Sequence, residues 1–266
     1  MLKIAELNLY PLKSCAQISL DQAAVGPLGL EGDRRWMVVD PNGRFMTGRE
    51  QPKLLSIRAQ PSIHGIGLSA RGCKTLDVPF PDAGMRRPVQ VWSSQVLAAW
   101  TTVADAWLSA LLGAPATLVY MDKSARRPTD PRYSQAHDQV SFADGFPVLL
   151  TTKASLADLN ARLDTPVGME RFRANIVVSG DLEPYQEDHS RGFEIDGLRF
   201  DNVKPCARCV FTTLDAETLI FDPAREPLKT LSTYRRAQPG KILFGVNLIA
   251  RQFGTLHVGA PVRLLD

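Results

Sequence analysis

KPCARCVFTTLD, residues 204–215, carries two cysteines three positions apart with an arginine beside the second. How this stretch folds decides what the chain can be. A structural zinc site needs a second ligand pair. Cys15 and Cys73 stand alone, and His64, His137, His189 and His257 are scattered without metal-ligand spacing. A thioredoxin-like disulfide needs its CxxC at a helix N-terminus, where the dipole favours the thiolate. Here Val210-Phe211-Thr212-Thr213-Leu214 follows, and that run predicts an extended strand. Two small buried thiols are the plainest reading of such a pair. Against it, Lys204 and Arg208 make the stretch electropositive. A thiolate at the head of a strand can also ligate a soft metal centre that brings its other ligands with it. Spacing alone leaves these readings open.

On either side the chain reads as strands and turns. WMVVDPNGRFMT (36–47) predicts two strands around the Asp40–Gly43 turn, and VQVWSSQVLAAW (89–100) another strand pair. VADAWLSALLG predicts a helix that Thr102 caps and Gly113 stops, with Val103, Trp107, Leu108 and Leu111 on its inner face. Residues 121–139 are polar, proline-bearing and aperiodic, the mark of a domain junction or long functional loop. Beyond them, FPVLLTTKASLADLNARL (146–163) is a buried strand feeding a helix capped by Thr152, with Leu156, Leu159 and Leu163 inward. FRANIVVSG (172–180) is a further buried strand, and FEIDGLRF (193–200) a hairpin on Asp196-Gly197. Pro227 marks a helix start, and LFGVNLIA and LHVGAPVRLL close the chain as strands. The expected class is α+β and strand-rich, with about three short helices.

Length and composition narrow the function. With 266 residues, the chain buries a proper core without disulfide staples. A net charge of +3 is too small to argue for a nucleic-acid polymer as partner, yet permits a local cationic pocket. No apolar run approaches the ~20 residues of a membrane span. The N-terminus lacks secretory or transit character, so a cytoplasmic location is expected, with reduced cysteines. There is no P-loop, HExxH or G-x-S-x-G, and GPLGLEGD has no strand-to-helix context for a dinucleotide.

CARCVFTTLDAET, continuing to EPLKTLSTYRR, resembles the MOSC domain, and more closely the mitochondrial amidoxime reducing component and its bacterial relatives. YPLKSC (10–15) and GDRRW (32–36) are similar to that family's N-terminal β-barrel-type domain. FPVLLTTKASLADLNARL, FRANIVVSG and the closing strands are similar to its MOSC domain. The resemblance covers the whole chain and implies an N-terminal β-barrel-type domain (1–120) followed by a β-barrel MOSC domain (121–266). It implies a molybdenum cofactor, Mo-molybdopterin, with Cys209 as the one protein ligand of the metal and Cys206 a packed neighbour. Lys13, Ser14, Arg34, Arg173 and Arg208 would reach the pterin phosphate or ring edge, where guanidinium forks suit phosphate. Asn175 would hold a backbone or pterin amide, or else satisfy a turn. Gly145 and Phe146 fall where the family offers backbone groups to the cofactor. Phe146 replaces small polar residues there, and Asn247 stands where some relatives carry an aromatic ring. Thr212, Thr213 and Asp215 would back Cys209.

The implied activity is reduction of N-hydroxylated compounds (amidoximes, hydroxylamines, hydroxylated nucleobases) by removal of oxygen at molybdenum. No cysteine follows Cys209, so the electrons are expected from a separate ferredoxin, cytochrome-b5-like protein or reductase. The alternative from another class is a non-catalytic molybdopterin or sulfur carrier using Cys209.

Overall fold

The computed structural model describes residues 1–82, 84–237 and 240–266. Its first half comprises β1 (Lys3–Leu9), β2 (Ile18–Leu20), β3 (Gln22–Gly26), β4 (Gly29–Leu30), β5 (Trp36–Val39), β6 (Arg58–Ser62), β7 (Gly65–Ser69) and β8 (Leu76–Pro79). It continues with β9 (Arg86–Val91), β10 (Ser94–Thr101), α1 (Asp105–Leu112) and β11 (Thr117–Tyr120). After a long loop come β12 (Val148–Thr152), α2 (Lys153–Asn160), β13 (Ile176–Ser179), β14 (Gly192–Ile195) and β15 (Leu198–Arg208). The chain ends with α3 (Leu228–Tyr234), β16 (Arg236–Ala237), β17 (Lys241–Ala250), β18 (Gly254–His257) and β19 (Val262–Leu265). The strand-rich class with a few short helices is what the sequence led us to expect.

The largest sheet runs β19-β14-β15-β17-β12-β13-β1-β2, with β16 beside β17. Its neighbours are antiparallel except β12 and β13, whose parallel pairing requires the crossover that α2 provides. The β19 end of the sheet returns to the start of β1, where Val262 N donates to Leu2 O at 3.0 Å. Ile4 N donates to Ala260 O (2.9 Å) and Gly259 N to Ile4 O (2.8 Å), curling the sheet into a barrel. Leu7, Val148, Leu150, Ile176, Val178, Phe193, Phe200 and Leu248 share its inner core. Outside, Leu159, Phe172, Leu231 and Phe244 pack together where α2 and α3 cover the sheet. The first thirty residues therefore belong in space with the last hundred: β1 pairs with β13, and β3 with β18. The sheets β5-β11-β10-β9 and β6-β7-β8 pack around further cores with α1.

Local signals explain most boundaries. Thr152 caps α2, its hydroxyl accepting from Ser155 N at 3.1 Å, and Leu159 is fully buried behind it. Gly113 ends α1 in the left-handed conformation, φ 73°. The start of α1 differs from expectation. Residues 101–104 are used in a turn, with Val103 N on Thr101 Oγ1 and Asp105 N on Thr102 O. The helix therefore begins at Asp105, Val103 is exposed, and Leu108 and Leu112 form the buried face.

The larger correction concerns residues 210–214. Val210–Thr213 form a 3-10 turn rather than a strand. The hydroxyls of Thr212 and Thr213 donate back to Cys209 O and Val210 O, both at 2.9 Å, an arrangement that competes with a ladder. Cys209 thus follows the last residue of β15 and opens a tight turn, instead of heading a strand.

Candidate active site

Lys13, Ser14, Arg34, Gly145, Phe146, Arg173, Asn175, Arg208, Cys209 and Asn247 all line one cleft. They come from both halves of the chain. The segment after β1 supplies Lys13 and Ser14, the turn before β5 supplies Arg34, and the loop before β12 supplies Gly145 and Phe146. Arg173 and Asn175 precede β13; Arg208 ends β15 and Cys209 follows it; Asn247 lies on β17. Ser14, Arg34 and Arg173 all have φ between 45° and 67°, a sparsely populated region for residues other than glycine. Those backbone bends set the directions of three neighbouring side chains.

The inner wall is built of guanidinium groups held by backbone. Arg34 donates from Nη1 to the fully buried Asp33 carboxylate (2.5 Å) and to Asn175 Oδ1 (3.0 Å), and from Nη2 to Arg173 O (3.1 Å). Arg173 donates to Cys15 O at 2.6 Å, and its guanidinium lies 4.3 Å from the centre of the Tyr10 ring. Burial brings the Arg173 pKa down to about 10, with the charge of Arg34 acting in the same direction. Arg208 donates from Nη2 to Phe172 O (2.6 Å) and from Nη1 to Cys206 Sγ (3.0 Å). Arg173 Nη2 and Arg208 Nε are buried without a hydrogen-bond partner among the described residues. Such groups are costly unless something outside the chain satisfies them.

Asn175 is committed to the protein. Its Oδ1 also accepts from Leu149 N (3.2 Å) and its Nδ2 donates to Asn8 O (3.2 Å), so it props Arg34 and the head of β12. Asn247 likewise donates to Lys204 O at 3.1 Å. Cys206 is half-buried and lines the cleft, so its surroundings are the pocket and Arg208 rather than a packed core. Cys15 is the thiol that is fully buried, and burial pushes it up.

The mouth was not legible beforehand. Arg49 donates from Nε to Cys209 Sγ at 3.1 Å and from Nη2 to Asp144 Oδ2 at 3.3 Å. Its guanidinium lies 4.6 Å from the Trp92 ring centre, and Trp92 Nε1 donates to Asp144 Oδ1 at 3.3 Å. Lys13 Nζ completes the cluster, donating to Asp144 Oδ1 (2.5 Å) and Phe142 O (2.8 Å). Burial pushes Lys13 down to about 8, with Asp144 opposing. Desolvation pulls the Asp144 carboxyl upward, but Lys13 and Arg49 outweigh it and hold the group well below the usual carboxylate range. The 141–144 backbone is itself braced by the buried Arg127, which donates to Ser141 O, Ala143 O and Asp144 O. Gly48 lets the Arg49 segment approach: a Cβ there would lie 2.3 Å from the Phe211 ring. Nothing about TGREQPK in isolation separates Arg49 from an ordinary solvated charge.

Five cations and two thiols, Cys206 and Cys209, on a single cleft, with Asp144 at its rim, suit an anionic ligand that takes a sulfur donor. Comparison with known proteins identifies the family. Residues 1–115 match the MOSC N-terminal beta barrel domain and residues 137–263 the MOSC domain. Mitochondrial amidoxime-reducing component 1 of Danio rerio is 34% identical, over 97% of this chain and 83% of the relative. The human component 1 is 33% identical, over 98% of this chain and 82% of its own length. Human component 2 is 30% identical with 97% and 82% covered.

Proposed function

Because the chain belongs to the MOSC-domain family of amidoxime-reducing components, we propose that it reduces N-hydroxylated compounds with a molybdenum cofactor held in the Cys209 cleft. The observation that carries this reading is the cleft that gathers Arg34, Arg173 and Arg208 beside Cys209, with one nitrogen each of Arg173 and Arg208 unpartnered among the described residues. A phosphate-bearing pterin offers acceptors to such donors, and a soft thiolate suits molybdenum. The residues present therefore fit the group.

When bound, the cofactor supplies two electrons that, with two protons, convert an N–OH group to N–H and water. The chain's own residues bind and orient. Cys209 would be its one protein ligand to the metal. Lys13, Ser14, Arg34 and Arg173 would hold the phosphate and ring edges. Asn175 keeps Arg34 aimed through their 3.0 Å hydrogen bond. Gly145 offers its backbone, since the space beyond its Cα is open, and Phe146 and Leu149 supply apolar wall.

We assign the electrons to a separate donor, a ferredoxin, cytochrome-b5-like protein or reductase. In support, the four cysteines of this sequence do not form a cluster-binding set. A cytoplasmic location is part of the same proposal, supported by four free thiols. No described helix is long and apolar enough to cross a membrane. The test is reduction of benzamidoxime by molybdenum-loaded protein with a viologen donor. Turnover that requires both molybdenum and Cys209 is expected. Loaded protein that takes up electrons but leaves the amidoxime unreduced would overturn the reading.

A further inference from the structure

Arg49 stands 160 residues from Cys209 in the sequence, on the other half of the molecule, yet its Nε–H points at the sulfur at 3.1 Å. The contact is held from three sides. Asp144 takes the Nη2–H in the plane of the same guanidinium (3.3 Å), and the Trp92 ring lies 4.6 Å from the guanidinium carbon. Asp144 is itself fixed by Lys13 and Trp92. Arg49 is only 26% exposed, so water does not replace this bond freely. A guanidinium braced in this way cannot turn to solvent without breaking the fork to Asp144 and leaving the indole.

An N–H donor aimed at a metal-bound sulfur draws electron density from it, weakens its donation and makes the metal easier to reduce. We infer that Arg49 is a positioning residue for Cys209. It fixes the orientation of the sulfur and raises the reduction potential of the centre that the sulfur ligates. The inference rests on the reading of Cys209 as the molybdenum ligand. A lysine would keep the charge near Asp144, but its single ammonium cannot serve Asp144 and the sulfur in one plane. The residue is thus read by its fork, not only its charge.

The experiment compares wild type, Arg49→Lys and Arg49→Gln, all purified from a molybdopterin-competent host. Molybdenum content, thermal stability, the midpoint potential followed by electron paramagnetic resonance, and kcat and KM for benzamidoxime are measured together. The expected result is molybdenum retained within about twofold and an unchanged melting temperature. Midpoint potentials should move negative in both variants, more in Arg49→Gln, with kcat down about tenfold and KM little changed. Unchanged potentials in loaded variants would overturn the inference while leaving the proposed function standing. So would loss of molybdenum from both stable variants, which would make Arg49 an anchor for the group. If Arg49→Gln does not fold, the potential of Arg49→Lys decides alone. A wild type without molybdenum would overturn the functional reading and this inference with it.

Discussion

The two walls of the cleft hold cations in opposite ways. On the inner wall, Arg34, Arg173 and Arg208 donate to backbone carbonyls and stack on buried rings, and two of their nitrogens have no partner among the described residues. At the mouth, Lys13 and Arg49 converge on one carboxylate, Asp144, whose side chain is 62% exposed. The inner wall is rooted in the fold and leaves donors over for a ligand. The mouth is an ion-pair cluster whose pieces come from separated loops and which, beyond Asp144, reaches Phe142 O through Lys13 and Cys209 through Arg49. The difference is between a wall committed to binding and a mouth that divides the work, Lys13 facing the ligand site and Arg49 facing Cys209.

The strongest blow to this contrast is at the root of the inner wall. Phe172 is fully buried, stacks on Phe244 with centroids 3.9 Å apart, and offers its carbonyl to Arg208. Phe172→Ala should cost about 3–5 kcal/mol in urea unfolding. A loss below about 1 kcal/mol would mean that the wall does not hang from the core. Next, Arg173→Ala should lower molybdenum content by about tenfold or more while the apo fold melts nearly as before. Retention equal to wild type would remove the inner wall from cofactor binding.

Lys13 ties the cleft to pH. Its ammonium, ordinarily near 10.5, is brought down to about 8 by burial. The positive charge is therefore present below about pH 8 and lost above it. Retention of the cofactor should weaken as pH rises through that value, and Lys13→Arg should flatten the step. A pH-independent wild type between 7 and 9 would contradict this. The smallest effect is expected from Asp144→Asn. An exposed partner is worth about 1 kcal/mol or less, so activity should change by less than about fivefold. A larger loss would make the mouth as structural as the inner wall.

How much of this was legible follows from which interactions are local. The Thr152 cap, the Asp196-Gly197 hairpin and the stop at Gly113 are written within a few residues, and the structure has them. Residues 210–213 misled because β-branched composition favours a strand, whereas the threonine hydroxyls bond their own backbone. The pairing of β1 with β13 joins residues about 170 apart, and no periodicity reports such a partner. The meeting of the ten cleft residues was anticipated from family resemblance rather than from spacing. Arg49 escaped both routes. Its meaning lies in a neighbour, Cys209, that only the folded chain supplies.

If Cys209 is the metal ligand of a cleft that takes a molybdenum cofactor, removing its sulfur must release the metal. Metal analysis of wild type beside Cys209→Ser and Cys206→Ser, expressed with molybdopterin synthesis intact, tests it most directly. Near-stoichiometric molybdenum is expected in wild type and in Cys206→Ser, and almost none in Cys209→Ser. Zinc in all three, or molybdenum that survives the loss of Cys209, would contradict it.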